Sequence, residues 1–110
     1  MIESGIVGVE MTKNIMQEEK ECYLCRKFYG VSMQVGLELH HIFGGTANRK
    51  LSDKDGMVVW LCQKHHNTEP DGVHFNKKNM DIIRMDGQRK WEQTYSGHYD
   101  FMRRYGKNYL

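Results

Sequence analysis

The sequence contains no apolar run that approaches the roughly 18 residues needed for a membrane-spanning helix. Its first residues, MIESGIVGVEMTKN, lack the basic and then apolar segments of a secretory signal peptide. The chain has only three cysteines, too few for a disulfide framework. We therefore expect an intracellular, cytoplasmic protein with no membrane partner, in which paired cysteines bind metal rather than form disulfides.

The chain also has only one proline, no internal repeat and no low-complexity segment. Its 110 residues predict one small domain, in which a structural metal would add useful stability. The net charge is only +2, but residues 72–110 hold eight basic and four acidic side chains. This C-terminal third favours contact with a polyanion, and a solvated helical surface explains its charge equally well.

Two short segments rich in strand-forming residues, VGLELHHI (35–42) and MVVWLC (57–62), predict two β-strands. The segment between them, FGGTANRKLSDKDG, is rich in Gly, Asn, Asp and Ser and predicts a long loop. Residues 1–20 predict an N-terminal arm or a short helix, and residues 21–110 form the domain proper. Together with the helices described next, this order indicates the α+β class.

The C-terminal third predicts two helices. A long helix begins near Asn76, because apolar residues recur at three- and four-residue steps. A short final helix is expected between Ser96 and Gly106, where the glycine suits a left-handed cap. The stripe that defines the long helix is most simply a core face and consists of Met80, Ile83, Gly87, Trp91 and Tyr95.

Two ligand pairs with the same spacing predict a metal site. CYLC holds Cys22 and Cys25, and CQKH holds Cys62 and His65, so each pair can occupy one edge of a tetrahedron. Thiolate and imidazole ligands suit zinc, and four protein ligands leave no open position, so this zinc would be structural. Two alternatives remain open: a redox CxxC with Cys62 as a buried hydrophobe, and His66 in place of His65 as the fourth ligand.

Three histidines remain beside this set, and they carry a resemblance. His40 and His41 end the first predicted strand, and His66 follows the last zinc ligand. The order CYLC, LELHHI, VVWLCQKHHN over residues 22–67 resembles the HNH endonuclease family of the ββα-metal (His-Me finger) superfamily. The tail, GVHFN through FMRRYGKNYL, is similar to small phage-encoded HNH proteins linked to recombination.

The resemblance implies a fold, a reaction and a set of roles. The fold would be a small ββα-metal domain held by one structural zinc, with the long helix and the short final helix at its C-terminus. His40 matches the first ligand of a catalytic metal, His41 the general base and His66 the closing metal ligand, with His74 as a further ligand or a surface residue. Magnesium or manganese would be the working ion, although imidazole ligands also suit zinc.

The resemblance is incomplete at the family's central asparagine, which orients the base. Its usual place before the second strand holds Met57, and the only asparagine between the two pairs is Asn48, which could take this role or lie in a turn. His40 and His41 would also point to opposite faces of a regular strand, so we expect Gly44-Gly45 to end or twist it.

The expected function is metal-dependent hydrolysis of DNA phosphodiester bonds, with weak sequence preference or selectivity for DNA structure. DNA contact would fall mainly on the phosphate backbone. One alternative is a non-catalytic, zinc-containing DNA-binding or recombination accessory protein. A zinc-dependent protein-interaction domain ranks last, because it leaves three histidines without a role. The candidate contacts with nucleic acid are Arg49, Lys50, Lys77 and Lys78.

Overall fold

The computed structural model describes residues 13–110, which form two strands and five helices in the α+β class predicted above. Residues 1–12, and with them most of the predicted N-terminal arm or helix, lie outside the described residues. None of the helices in the described part has the length and apolar content to cross a bilayer. The elements in chain order are α1 (Tyr23–Tyr29), β1 (Glu38–His41), α2 (Thr46–Lys54), β2 (Val58–Leu61), α3 (Gln63–His66), α4 (Lys77–Thr94) and α5 (His98–Tyr105).

The two predicted strands are present and form an antiparallel pair, but each is only four residues long. Glu38 pairs with Leu61 at one end, and His41 pairs with Val58 at the other. The first strand ends at His41, three residues before the Gly44-Gly45 pair, and Gly45 has a positive φ of 91°. The expectation that the strand stops near these glycines is therefore confirmed.

The connection between the strands is a helix, so the prediction of a long loop is wrong. Its polar residues form α2, in which Leu51 packs against the core and Ser52 is buried. The Ser52 hydroxyl accepts from the backbone N–H of Phe43 at 3.2 Å and donates to the carbonyl of Met57 at 2.6 Å. A serine that looks like a loop residue in the sequence thus ties α2 to both strand ends.

Residues 13–20 contain bends and no helix or strand, so this part of the predicted arm is not helical. It nevertheless packs on the sheet edge, because the side-chain oxygen of Gln17 accepts from the backbone N–H of Trp60 at 2.8 Å. The N–H of Ile15 donates to the carbonyl of Gly56 at 3.0 Å. These contacts make the segment part of the domain.

The long C-terminal helix follows the predicted stripe. Asn76 caps α4 by accepting from the N–H of Asn79 at 2.9 Å, and Ile83, Gly87 and Trp91 are buried. A Cβ atom on Gly87 would lie 3.0 Å from a methyl carbon of Ile42, so the glycine lets the helix approach the end of β1 closely. This packing requirement explains why glycine, a residue that disfavours helix formation, lies in the middle of α4.

The final helix completes an aromatic core beside the sheet. It ends before Gly106, which has a positive φ of 72° as predicted. Phe43 contacts Phe101 and Tyr105 with ring centroids 5.2 and 4.6 Å apart. Asp55, at the end of α2, joins this core by accepting hydrogen bonds from Trp91 Nε1, the Arg104 guanidinium and the Tyr105 hydroxyl.

Candidate metal centres and the cavity beside them

The four predicted zinc ligands meet at one point. Cys22 caps α1 and Cys25 lies in its first turn, while Cys62 immediately precedes α3 and His65 lies within that helix. The ligand atoms of all four lie within 4.8 Å of one another. The local backbone explains why the spacing works, because each pair spans a helix start, where residues i and i+3 face the same side.

The distances within this four-ligand group match a tetrahedral metal site. Tetrahedral zinc with sulfur at about 2.3 Å and nitrogen at about 2.0–2.1 Å places two sulfurs about 3.8 Å apart, and a sulfur and a nitrogen about 3.6 Å apart. The Sγ atoms of Cys25 and Cys62 are separated by 3.8 Å. The three sulfurs lie 3.4, 3.5 and 3.6 Å from Nδ1 of His65. This buried group can therefore hold a metal ion such as zinc.

Burial closes this group to solvent. Cys22 and His65 are 0% and 1% exposed, and no disulfide joins the three cysteines. Burial and then the neighbouring Cys22 and Cys62 raise the pKa of Cys25 to about 12, so this thiol ionises only if a cation stabilises the thiolate. His65 lies in this group and His66 does not. Of the two candidate fourth ligands, the structure therefore selects His65.

A second group of three histidines lies on the other side of α3. It brings together His40 from β1, His66 from α3 and His74 from the loop before α4, with ligand nitrogens within 4.8 Å of one another. The Nε2 atoms of His66 and His74 are 3.2 Å apart. Two nitrogens bound to one ion at about 2.0–2.1 Å lie about 2.9–3.4 Å apart for bond angles of about 90–110°. The three-histidine group can thus also hold a metal ion.

One atom in this group favours a ligand over ordinary packing. Nε2 of His40 is buried and has no hydrogen-bond partner among the described residues. A hydrogen bond between His66 and His74 accounts for their 3.2 Å contact, but it leaves this nitrogen unexplained. Burial, followed by the neighbouring His66 and His74, lowers the pKa of His40 to about 3, so its ring is neutral with a lone pair available.

A carboxylate fixes the orientation of one of these rings. Nδ1 of His66 donates to Oε1 of Glu38 at 2.7 Å, across the start of β1. Because a carboxylate only accepts, the proton lies on Nδ1 and the Nε2 lone pair faces His40 and His74. Carboxylates that bind the far nitrogen of a histidine in this way are typical partners of metal-binding histidines.

His41 lies outside the three-histidine group, as strand alternation requires. Its Nε2 lies 3.1 Å from Oδ1 of Asp53 on α2, so the proton again faces a carboxylate and Nδ1 keeps its lone pair. His40 and His41 nevertheless line one cavity of about 400 Å³ together with His66 and His74. The sequence predicted that His40 and His41 would point to opposite faces of the strand. Both can still line the same cavity, because the cavity spans the end of the strand.

The structure does not bring Asn48 to His41. The Asn48 side-chain amide instead donates to the carbonyl of Tyr105 at 3.0 Å and links α2 to the end of α5. The predicted orienting role of Asn48 is therefore not supported, and the side chain that contacts His41 is Asp53. Asp53 could not be predicted from the sequence, because the polar segment around it predicts a loop and not the helix that brings Asp53 to His41.

Of the four predicted nucleic-acid contacts, two lie at the cavity. Arg49 lines it, and Arg49 and Lys50 together line an adjoining groove of about 600 Å³ that also includes His41. Lys77 forms an ion pair with Asp81 at 2.6 Å, and Lys78 is exposed on the first turn of α4. The cavity has a further basic residue, Arg84, which was not among the predicted nucleic-acid contacts.

Comparisons with known proteins assign no family to this arrangement. A scan of protein-family models gives no match, and searches of curated proteins and of solved structures give no similar protein.

Proposed function

We propose that this chain is a metal-dependent endonuclease of the HNH type that hydrolyses phosphodiester bonds in DNA. The observation that carries the proposal is the shared cavity, in which a metal-binding group of three histidines lies beside His41, a fourth histidine held by a carboxylate. This combination supplies the parts that metal-assisted hydrolysis requires, namely a cation site and a base.

The order of elements supports this assignment. Two antiparallel strands lead into α3, and the four-ligand group joins the start of the domain to the end of β2. We infer the ββα-metal motif from this order, with α2 as an additional helix between the two strands. We propose zinc as the structural ion of the four-ligand group, because three thiolates and one imidazole suit its softness and tetrahedral preference.

The roles of the residues follow from their contacts. A divalent ion at the three-histidine group would polarise the phosphate and stabilise the departing oxygen. His41 would take the proton of the attacking water at Nδ1, because its Nε2–H is bound to Asp53. Asp53 is a positioning residue and would take the role, though not the sequence position, that the resemblance gives to an asparagine. Magnesium or manganese would be the working ion, with zinc as the alternative.

DNA is the proposed substrate because the cavity and its adjoining groove carry basic side chains. Arg49 and Lys50 extend along the groove from the histidines and would contact backbone phosphates. Because contacts to backbone phosphates carry no sequence information directly, sequence preference should be weak.

A plasmid-nicking assay tests the proposal. Metal-stripped protein is incubated with supercoiled plasmid and Mg²⁺ or Mn²⁺, beside His41→Ala and the matched control His98→Ala, whose half-exposed ring contacts Glu92 instead. We expect nicking by the parent and the control, and a rate about 10²- to 10⁴-fold lower for His41→Ala, the range for loss of a general base. Equal nicking by all three proteins would refute the assigned role of His41.

One observation favours a second candidate, a DNA-binding accessory protein that does not cut. The buried Met57 stands where the resemblance expects the central asparagine, and Asp53 is exposed to water. The same assay separates the two candidates. Salt-dependent DNA binding by the parent, without nicking under Mg²⁺, Mn²⁺ or Zn²⁺, would support the accessory role and sink the endonuclease proposal.

A further inference from the structure

Arg84 extends from α4 into the cavity of the three-histidine group. It follows Met80 by one helical turn, and both side chains line the cavity with His40, His66 and His74. Its Nε atom is buried and, among residues 13–110, has no hydrogen-bond acceptor. Buried guanidinium N–H groups normally have a partner, so this atom indicates that the cavity receives an acceptor.

Arg84 forms no ion pair with a carboxylate among the described residues. Arg26 and Arg104 each form two hydrogen bonds to one carboxylate, from Glu21 and Asp55 respectively. In contrast, none of the ion pairs within residues 13–110 uses Arg84, and none of the cavity-lining side chains is acidic. The positive charge of Arg84 also acts on His40 and His74, whose pKa values are lowered chiefly by burial.

An aromatic ring packs against Arg84. Its guanidinium lies over the ring of Tyr109, with the central carbon 5.4 Å from the ring centroid. A cation–π contact of this kind is an attraction between the charge and the ring and supplies no hydrogen-bond acceptor atom for the buried Nε–H. The aromatic contact therefore explains how Arg84 is held in place, and it does not satisfy its hydrogen bonds.

We propose that Arg84 binds the phosphodiester anion at the three-histidine group, with Arg49 from α2 as a second contact. The guanidinium edge fits two oxygens of a tetrahedral phosphate, and a lysine would offer only a point charge. The inference rests on the proposed function, because it names the residue that binds the group to be hydrolysed. A negatively charged diester also supplies the acceptor and the counter-charge that the cavity lacks.

The test is a binding measurement that does not depend on cleavage. The full chain, loaded with zinc and Mg²⁺, is titrated with the deoxydinucleotide TpT while the arginine Nε–H signals are followed by NMR. We expect the Arg84 signal to shift saturably, and Arg84→Lys to bind TpT about tenfold more weakly, consistent with loss of a charge-assisted hydrogen bond. Arg89→Lys is the matched control, since Arg89 lies on the same helix beside Asp86 and outside the cavity.

Three outcomes would overturn the inference: an Arg84 signal that does not move, equal TpT affinity for the parent and Arg84→Lys, or a response to inorganic phosphate alone. The last result would indicate a free-phosphate site. Arg84→Gln provides a second measurement of TpT affinity, provided that its amide NMR spectrum shows an intact fold. TpT binding at Arg84 without plasmid nicking would refute the endonuclease and leave the anion site standing, whereas nicking without an Arg84 response would refute only the anion site.

Discussion

The two groups that could hold a metal ion differ in what surrounds them, although α3 contributes a residue to each. The four-ligand group is buried, and its four ligand atoms lie within 4.8 Å of one another. The three-histidine group combines a buried, a half-buried and an exposed ring, and it opens into a cavity. A metal with four protein ligands in a buried site would stabilise the fold, whereas a metal at an open site with three ligands would keep a position for water or substrate. The adjacent residues His65 and His66 belong to different groups, His65 to the four-ligand group and His66 to the three-histidine group.

The largest effect should follow from His65→Ala. This change removes one ligand of the four-ligand group, and structural zinc binding in small domains is worth about 10–16 kcal/mol of apparent free energy. A domain of this size has only about 5–15 kcal/mol of total stability. We expect loss of the cooperative thermal transition in circular dichroism and of the tightly held zinc in metal analysis. A sharp transition with zinc retained would mean that the fold does not depend on this site.

His66→Ala should abolish activity and leave the fold intact. The ring belongs to the open group, so the tightly held zinc and the melting temperature should stay close to those of the parent. Nicking should fall by at least about 100-fold, because a catalytic metal contributes several kcal/mol to the transition state. His98→Ala again serves as the control. Unfolding of His66→Ala would contradict the separation of the two groups.

Glu38→Ala should weaken metal binding at the open group without removing a ligand. Loss of the 2.7 Å hydrogen bond frees the His66 ring to rotate, and such outer partners typically change metal affinity about 10- to 100-fold. Isothermal titration with Mn²⁺ into zinc-loaded protein measures this affinity, with the exposed Glu19→Ala as a matched loss of charge. An unchanged Mn²⁺ affinity would show that Glu38 does not position the ring.

The smallest effect is expected for Asp53. Asp53→Ala should lower kcat about 3- to 10-fold with KM unchanged, the loss expected for one partly exposed hydrogen bond. Asp53→Asn should keep most of the rate, because its amide oxygen can still accept from Nε2–H of His41. Asp100→Ala removes a comparable surface charge and controls for altered attraction to DNA. Equal losses for the Asn and Ala variants would argue against a positioning role.

Much of this arrangement could be predicted from the chain alone. The repeated two-residue spacing identified the four-ligand group, because helix starts impose the same geometry wherever they occur. The apolar stripe of α4 and its Asn76 cap followed from periodicity and capping chemistry. The grouping of His40, His66 and His74 needed the resemblance, since spacing gave no reason to bring the loop residue His74 beside the other two.

The rest could not be predicted because it depends on tertiary packing. Ser52 looks like a loop residue but is buried in α2, where its hydroxyl hydrogen-bonds to residues at both strand ends. Asp53 contacts His41 only because it lies on that helix. Arg84 was one of eight basic residues in the last third of the chain, and its position one turn after Met80, beside the buried stripe, was the only available signal.

Gly87 has a consequence for the reach of Arg84, which precedes it by one turn on the same helix. The missing Cβ sets the distance between the helix axis and Ile42, since an added carbon would lie 3.0 Å from a methyl group there. Gly87→Ala would require the Ile42 side chain or this part of α4 to shift by a few tenths of an ångström. A single hydrogen in place of a methyl thus keeps the helix that carries Arg84 close to Ile42, which also lines the cavity.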